Sequence, residues 1–305
     1  MTTAVLRFSS LGDVLLCGAV TGGLGPVTFL THPRYKAAAA LLPGVVSVVG
    51  YGEDPLPSRV DRVVDLHASP RSRLLARRLG GPVSTVERYD LRRRLRVWLK
   101  MGAPPPSVVE RYAAAAGVGP AVAPWIRVEG PGDALLLCPG AAHATKRWPA
   151  DRWVELGRRY PGAVIVLGGP GEEGLVGGIA AEIPGAESLC EAGLTRTLQA
   201  LGRGRVAVSG DSGLMHLCGA AGVPVVGLFG PTTSADGFFV HAGLAVERSL
   251  PCRPCSRFGG AVCPIGDHAC LEGLSVEAVW AALCRIEADG GSSAPLVHPR
   301  PGREA

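Results

Sequence analysis

Short runs of β-branched and apolar residues recur along the chain, each followed by a stretch of helical character. In the first half they are AVLRF (4–8), VTFLT (27–31), VSVVG (46–50), RVVDL (62–66) and VSTVE (83–87). The rhythm restarts with ALLLC (134–138), AVIVLGG (163–169), ESLCE (187–191), VAVSG (206–210) and VPVVGLFG (223–230). Near-continuous apolar strands with helical crossovers predict parallel sheets covered on both faces. Between the two series, VGPAVAPWIRVEGPGD (118–133) is rich in Pro and Gly and holds no period, which marks a linker. The expected organisation is two α/β domains, 1–125 and 126–288, with a cleft between the carboxyl ends of their sheets. The polar, Gly/Pro-rich tail 289–305 is expected to be disordered.

Ligands of open parallel sheets bind just beyond the carboxyl ends of the strands, so segments that follow strands are the candidates for chemistry. SSLGDVLL (9–16) follows the first strand. Asp13 there reads either as a helix N-terminal cap, worth about 1 kcal/mol, or as a carboxylate aimed into the cleft as a general base. No Gly-x-Gly-x-x-Gly fingerprint follows this strand, which argues against a nicotinamide enzyme. CPGAAHATKRWPADRW (138–153) follows ALLLC and carries Thr145, Lys146 and Arg147. A hydroxyl, an ammonium and a guanidinium on one loop suit a diphosphate; a solvated basic loop is the alternative.

The stretch VAVSGDSGLMHLCGAAGVPVVGLFGPT (206–232) is the most informative. Its strand ends in Gly210-Asp211-Ser212-Gly213 and a helix begins at once. Unpaired N–H groups at a helix start bind phosphate, and Gly213 lets that backbone approach an anion closely. His216 lies one turn further and points back toward the same place; a buried structural histidine is the bland reading. Asp211 either caps the helix or orients the loop. GGPGEEG (168–174) permits close backbone approach but is a weak signal alone.

Hydrophobic residues at 47% and charged residues at 19% exclude disorder across the whole chain. The net charge of +5 is concentrated: between Arg71 and Lys100 ten Lys and Arg face only Glu87 and Asp90. In YDLRRRLRVWLK (89–100), Leu91, Leu95, Trp98 and Leu99 share one helical face, with Arg92, Arg93, Arg94, Arg96 and Lys100 around it. Two readings stand: a core-packed helix with a solvated cationic face, or a helix drawn to an anionic membrane surface or a phosphorylated acceptor. Nucleic acid is not an expected partner, because aromatics are few and no binding module is present.

The amino terminus MTTAVLRFSS lacks the pattern of a secretory signal, and no apolar run approaches the ~18 residues of a membrane span, so a cytosolic location is expected. Of nine cysteines, Cys17, Cys138, Cys190, Cys218 and Cys284 lie in apolar segments and read as buried hydrophobes. Cys252, Cys255, Cys263 and Cys270 have spacing compatible with a structural zinc, reduced packed thiols being the alternative.

Taken in order, LRFSSLGDVLL, CPGAAHATKRWP and SGDSGLMHL with GVPVVGLFGPT resemble glycosyltransferase family 9, the ADP-heptose:lipopolysaccharide heptosyltransferases. PCRPC…CP…C is similar to the carboxyl-terminal part of the heptosyltransferase II type. The resemblance runs to about Arg285 and is loose over residues 50–125, where acceptor recognition diverges. It implies a GT-B fold of two Rossmann-like, doubly wound domains, the first binding acceptor and the second nucleotide-sugar. It also implies inverting transfer of heptose from ADP-heptose to a lipopolysaccharide core-type acceptor, without a cofactor required for catalysis. Asp13 becomes the general base, and Thr145, Lys146, Asp211, Ser212, Gly213 and His216 the donor pyrophosphate site. The expected setting is cytoplasmic, peripheral to the anionic inner-membrane surface. A GT-B protein that binds nucleotide-sugar without catalysis, or a transferase with another donor or acceptor, are the alternatives.

Overall fold

The computed structural model describes residues 2–130, 132–190, 193–239 and 241–289; the expected disordered tail lies, apart from Asp289, outside the described residues. The first sheet contains β1 (Thr3–Leu6), β2 (Val27–Thr31), β3 (Val45–Gly50), β4 (Arg62–Asp65) and β5 (Val83–Thr85). The second contains β6 (Ala134–Cys138), β7 (Val164–Gly168), β8 (Glu187–Cys190), β9 (Gly204–Gly210), β10 (Val225–Phe229) and β11 (Gly243–Glu247). Their orders are β3-β2-β1-β4-β5 and β11-β10-β9-β6-β7-β8, and every neighbouring pair is parallel. Both are the doubly wound order, in which the sheet grows first one way and then the other from its initial strand. The reversals fall between β1 and β4 and between β6 and β9, and a crevice opens at each.

The helices of the first half are α1 (Leu11–Leu16), α2 (Gly18–Thr21), α3 (Lys36–Ala39), α4 (Pro70–Leu79), α5 (Asp90–Leu99) and α6 (Val108–Ala116). The second half adds α7 (Ala150–Arg159), α8 (Glu173–Glu182), α9 (Gly193–Gly202), α10 (Gly213–Ala220), α11 (Ala269–Glu272) and α12 (Val276–Ala288).

Strand side chains alternate between faces, and here both faces are covered. Ala4 and Leu6 pack with Leu75 and Leu79 of α4, whereas Val5 packs with Leu15 of α1 and Tyr112 of α6. In the second sheet Leu135 and Leu137 join Trp153, Val176 and Leu283, while Leu136 and Cys138 join Met215 and Cys218 of α10. The two inner clusters are one: Val5, Leu15 and Tyr112 share it with Met215, Leu217 and Phe229. The apolar core therefore runs through the junction of the two halves. Glycine makes that contact close, since a Cβ on Gly12 of α1 would lie 2.4 Å from His216 Cδ2 of α10. The linker is fastened to the same helix: Trp125 N and Ile126 N both donate to the Ala220 carbonyl, at 2.8 and 2.9 Å.

All ten apolar runs contain strands. β11 was not expected; it is a half-exposed edge strand, and GLAVE has no continuous apolar signature.

Candidate active site

A cavity of about 590 Å³ opens where the carboxyl ends of the two sheets meet. Asp13 lines it from the first half; Lys146, Asp211, Ser212, Gly213 and His216 line it from the second. Each sits just beyond β1, β6 or β9, at the places where the sheets reverse. Thr145 is not among them. Its Oγ1 exchanges hydrogen bonds of 2.9 Å with both the carbonyl and the N–H of Gly260, and it borders a smaller cavity of about 170 Å³.

Asp13 occupies the third position of α1 and accepts from the N–H of Ser10 at 3.1 Å and from Ser10 Oγ at 3.0 Å. Capping and facing the cavity are thus one arrangement, not competing ones. Arg7 Nη2 lies 2.6 Å from Oδ2, and Tyr112 Oη donates to Oδ1 at 3.4 Å. Burial pushes the Asp13 carboxyl up, but the Arg7 guanidinium and the Ser10 hydrogen bonds outweigh it and hold the group below the usual carboxylate range. Arg7, fixed through Nη1 to the Leu66 carbonyl at 2.6 Å, escaped the sequence reading. Its signal was a charge inside the apolar run AVLRF.

Lys146 Nζ is 2.7 Å from Asp211 Oδ2, which also accepts from Thr232 Oγ1 at 2.7 Å. Asp211 therefore orients the lysine, while Ser212 occupies the N-cap of α10. Burial pushes the Asp211 carboxyl up, and Lys146 more than offsets this and leaves it below its ordinary value. The ammonium has three N–H donors, so an anion can share it with Asp211. The first turn of α10 adds backbone N–H groups and the positive end of the helix dipole. His216 is buried, with Nδ1 3.1 Å from Nε2 of His241. Burial pushes both imidazoles down, so both are neutral near pH 7.

The expectation of a core-packed α5 with a solvated cationic face is reversed. Arg93 is 6% exposed and lies 5.0 and 5.4 Å from the ring centroids of Phe238 and Phe258. It donates to the Arg257 carbonyl at 3.2 Å, Arg96 pairs with Asp236 at 3.6 Å, and Lys100 reaches the Pro254 carbonyl at 2.6 Å. Leu91 and Trp98 are 71% and 76% exposed, and Leu95 and Leu99 are also exposed. The second half offers carbonyls, a carboxylate and aromatic faces, so Arg93 and Arg96 turn inward and the leucines outward.

Among the described residues no three His, Cys, Asp or Glu side chains converge in a way that could hold a metal ion. Cys252, Cys255, Cys263 and Cys270, the cysteines expected to hold a structural zinc, are not drawn together into such a group. Their loop is shaped instead by Arg253, which bonds the Gly230 and Thr232 carbonyls and pairs with Glu247. Cys255 Sγ faces the Pro231 carbonyl, and Cys270 is buried in the core of the second half. Cys284, expected to be buried, is exposed on α12, and Cys190 is only partly buried.

Residues 126–238 match the family model for glycosyltransferase family 9 (heptosyltransferase). That span is thus similar to glycosyltransferase family 9. The matched span carries Lys146, Asp211, Ser212, Gly213 and His216, the donor-side wall of the cavity. A stretch of 126 residues is 32% identical to lipopolysaccharide heptosyltransferase 1 of Pseudomonas aeruginosa, spanning 40% of this chain and 36% of that relative. The whole chain has the fold of known heptosyltransferases. The Escherichia coli ADP-heptose lipopolysaccharide heptosyltransferase II structure superposes with a TM-score of 0.72 at 18% identity, covering 95% of this chain and 99% of that one. A family 9 glycosyltransferase from Veillonella parvula gives 0.71 at 17%, covering 94% and 97%. E. coli heptosyltransferase WaaC with ADP gives 0.66 at 18%, covering 93% and 99%. The expected GT-B architecture is thus the observed one.

Proposed function

We propose that the protein is an inverting glycosyltransferase that moves heptose from ADP-heptose to a lipopolysaccharide core-type acceptor. One observation carries this reading: a carboxylate of the first half and an anion-facing lysine and helix start of the second line a single cavity. The family 9 match and the similarity to a lipopolysaccharide heptosyltransferase support the substrate class. Asp13 takes the proton of the attacking acceptor hydroxyl. That oxygen bonds to the anomeric carbon from the face opposite the diphosphate, the anomeric C–O bond breaks, and ADP leaves with the electron pair. Lys146, oriented by Asp211, and the N–H groups of Ser212 and Gly213 meet the charge that grows on the diphosphate. They favour the transition state over the bound donor and take the part that a divalent cation plays in metal-dependent transferases. Thr145 acts at one remove, by fixing the Gly260 loop.

Arg93 and Arg257 line the same cavity. Arg93 is buried with no carboxylate within ion-pair distance among the described residues, which favours an acceptor bearing acidic groups. Around α5 the exposed apolar stripe is flanked by Arg92 on one side and Arg94 on the other. That pattern lies in a bilayer interface and supports a cytoplasmic enzyme seated on an anionic membrane.

Asp13→Asn should lower transfer at least ~10²-fold, measured with labelled ADP-heptose, while ADP affinity by calorimetry stays within about twofold of the parent. Normal turnover by the variant would overturn the base assignment. Donor binding by the parent with no transfer would favour a binding protein instead.

A further inference from the structure

His241 is fully buried, edge-on to Trp125 with centroids 5.8 Å apart. It rests on α10 where Gly219 has no side chain, and a Cβ there would lie 2.1 Å from its Cγ. Its Nε2 lies 3.1 Å from Nδ1 of His216, and its own Nδ1 has no partner among the described residues. Each neutral ring carries one proton, so two arrangements exist. If His216 donated from Nδ1, His241 would hold its proton on Nδ1, a buried N–H with no acceptor among the described residues. If His241 donates from Nε2, its Nδ1 is a bare lone pair, the less costly group to leave unpaired.

We propose that His241 is a positioning residue that donates from Nε2 to His216 Nδ1, holding His216 as the Nε2–H tautomer with that donor facing the cavity. The consequence for rate rests on the glycosyltransferase reading; the tautomer does not. In that reading His216 hydrogen-bonds an oxygen of the departing diphosphate. It also keeps no lone pair with which to compete for the acceptor proton, so acid–base work is left to Asp13. The division would be enforced by a residue that touches neither substrate.

Long-range ¹H–¹⁵N correlation spectra of the labelled full chain read the tautomer directly, without turnover. His216 is expected with Nε2 protonated and Nδ1 bare; a His216 protonated on Nδ1 overturns the proposal. Two variants test the consequence. His241→Phe fills the space but cannot donate, whereas His241→Gln keeps an N–H that can reach Nδ1. With ADP-heptose, His241→Phe should lower kcat about tenfold or more and change the donor KM less than about threefold, and His241→Gln should recover most of the loss. Equal losses in both variants, or an unchanged kcat in His241→Phe, count against the proposal. Should His241→Phe fail to fold, the spectra of the parent protein still decide. Should the parent transfer no sugar, the functional reading fails while the tautomer is still measured.

Discussion

The carboxylate proposed as the general base stands 2.6 Å from a guanidinium, and the pairing sets when Asp13 is charged. Its folded pKa lies below the ordinary value. The pair therefore adds stability above the unfolded carboxylate pKa of about 3.9, and that stability is lost as pH falls through the still lower folded value. Transfer should run without an acid limb down to about pH 4. Arg7→Met removes the countercharge and leaves the burial, so the acid limb of kcat/KM should move toward neutrality by about one pH unit or more, as a pH–rate profile would show; an unmoved limb would mean that Arg7 does not govern the charge. Asp13, Lys146 and Ser212 were legible in the sequence because each follows an apolar run and breaks it with polar or small residues. Arg7, His241 and Arg93 were not, since contacts that place them are far along the chain: Leu66 and Tyr112, His216, and Arg257.

Among the elements, α1 and α10 matter most, because each begins at the cavity and they touch through glycine. A methyl at Gly12 must displace the His216 ring, which His241 holds through its Nε2. Gly12→Ala should cost about 1–3 kcal/mol, a lowered Tm in thermal denaturation, together with a loss of transfer larger than the loss of stability explains. An unchanged Tm would show that the helices part freely there. The strand runs could be read because a parallel strand buried on both faces is a nearly unbroken apolar string. β11 lies at an edge and has no such string. The heptad-like stripe in α5 announced an amphipathic helix correctly but not which face turns inward. That choice belongs to what packs against it, and the Asp236 carboxylate with the Phe238 and Phe258 rings selects the arginines. Thr145 shows the same limit, for its loop was legible while the turn of its hydroxyl toward Gly260 was not.

For the molecule as a whole, the reversed α5 places an oily stripe on the outside beside a loop that exposes Phe258, Val262 and Ile265. Phe258 also lines the cavity, so the apolar surface and the mouth of the site adjoin. The full chain should therefore sediment with vesicles containing phosphatidylglycerol and much less with phosphatidylcholine alone. Leu95→Glu with Trp98→Glu should abolish that binding while ADP affinity persists. Pelleting that ignores both lipid charge and these substitutions would remove the bilayer from the proposal. The crossover between the halves has a mechanical side as well. Trp125 and Ile126 are latched to the Ala220 carbonyl, at the opposite tip of the rod whose leading end faces the cavity. Any swing of the halves that displaced this crossover would lever the rod, and a donor proposed to sit at its leading end would feel the pull.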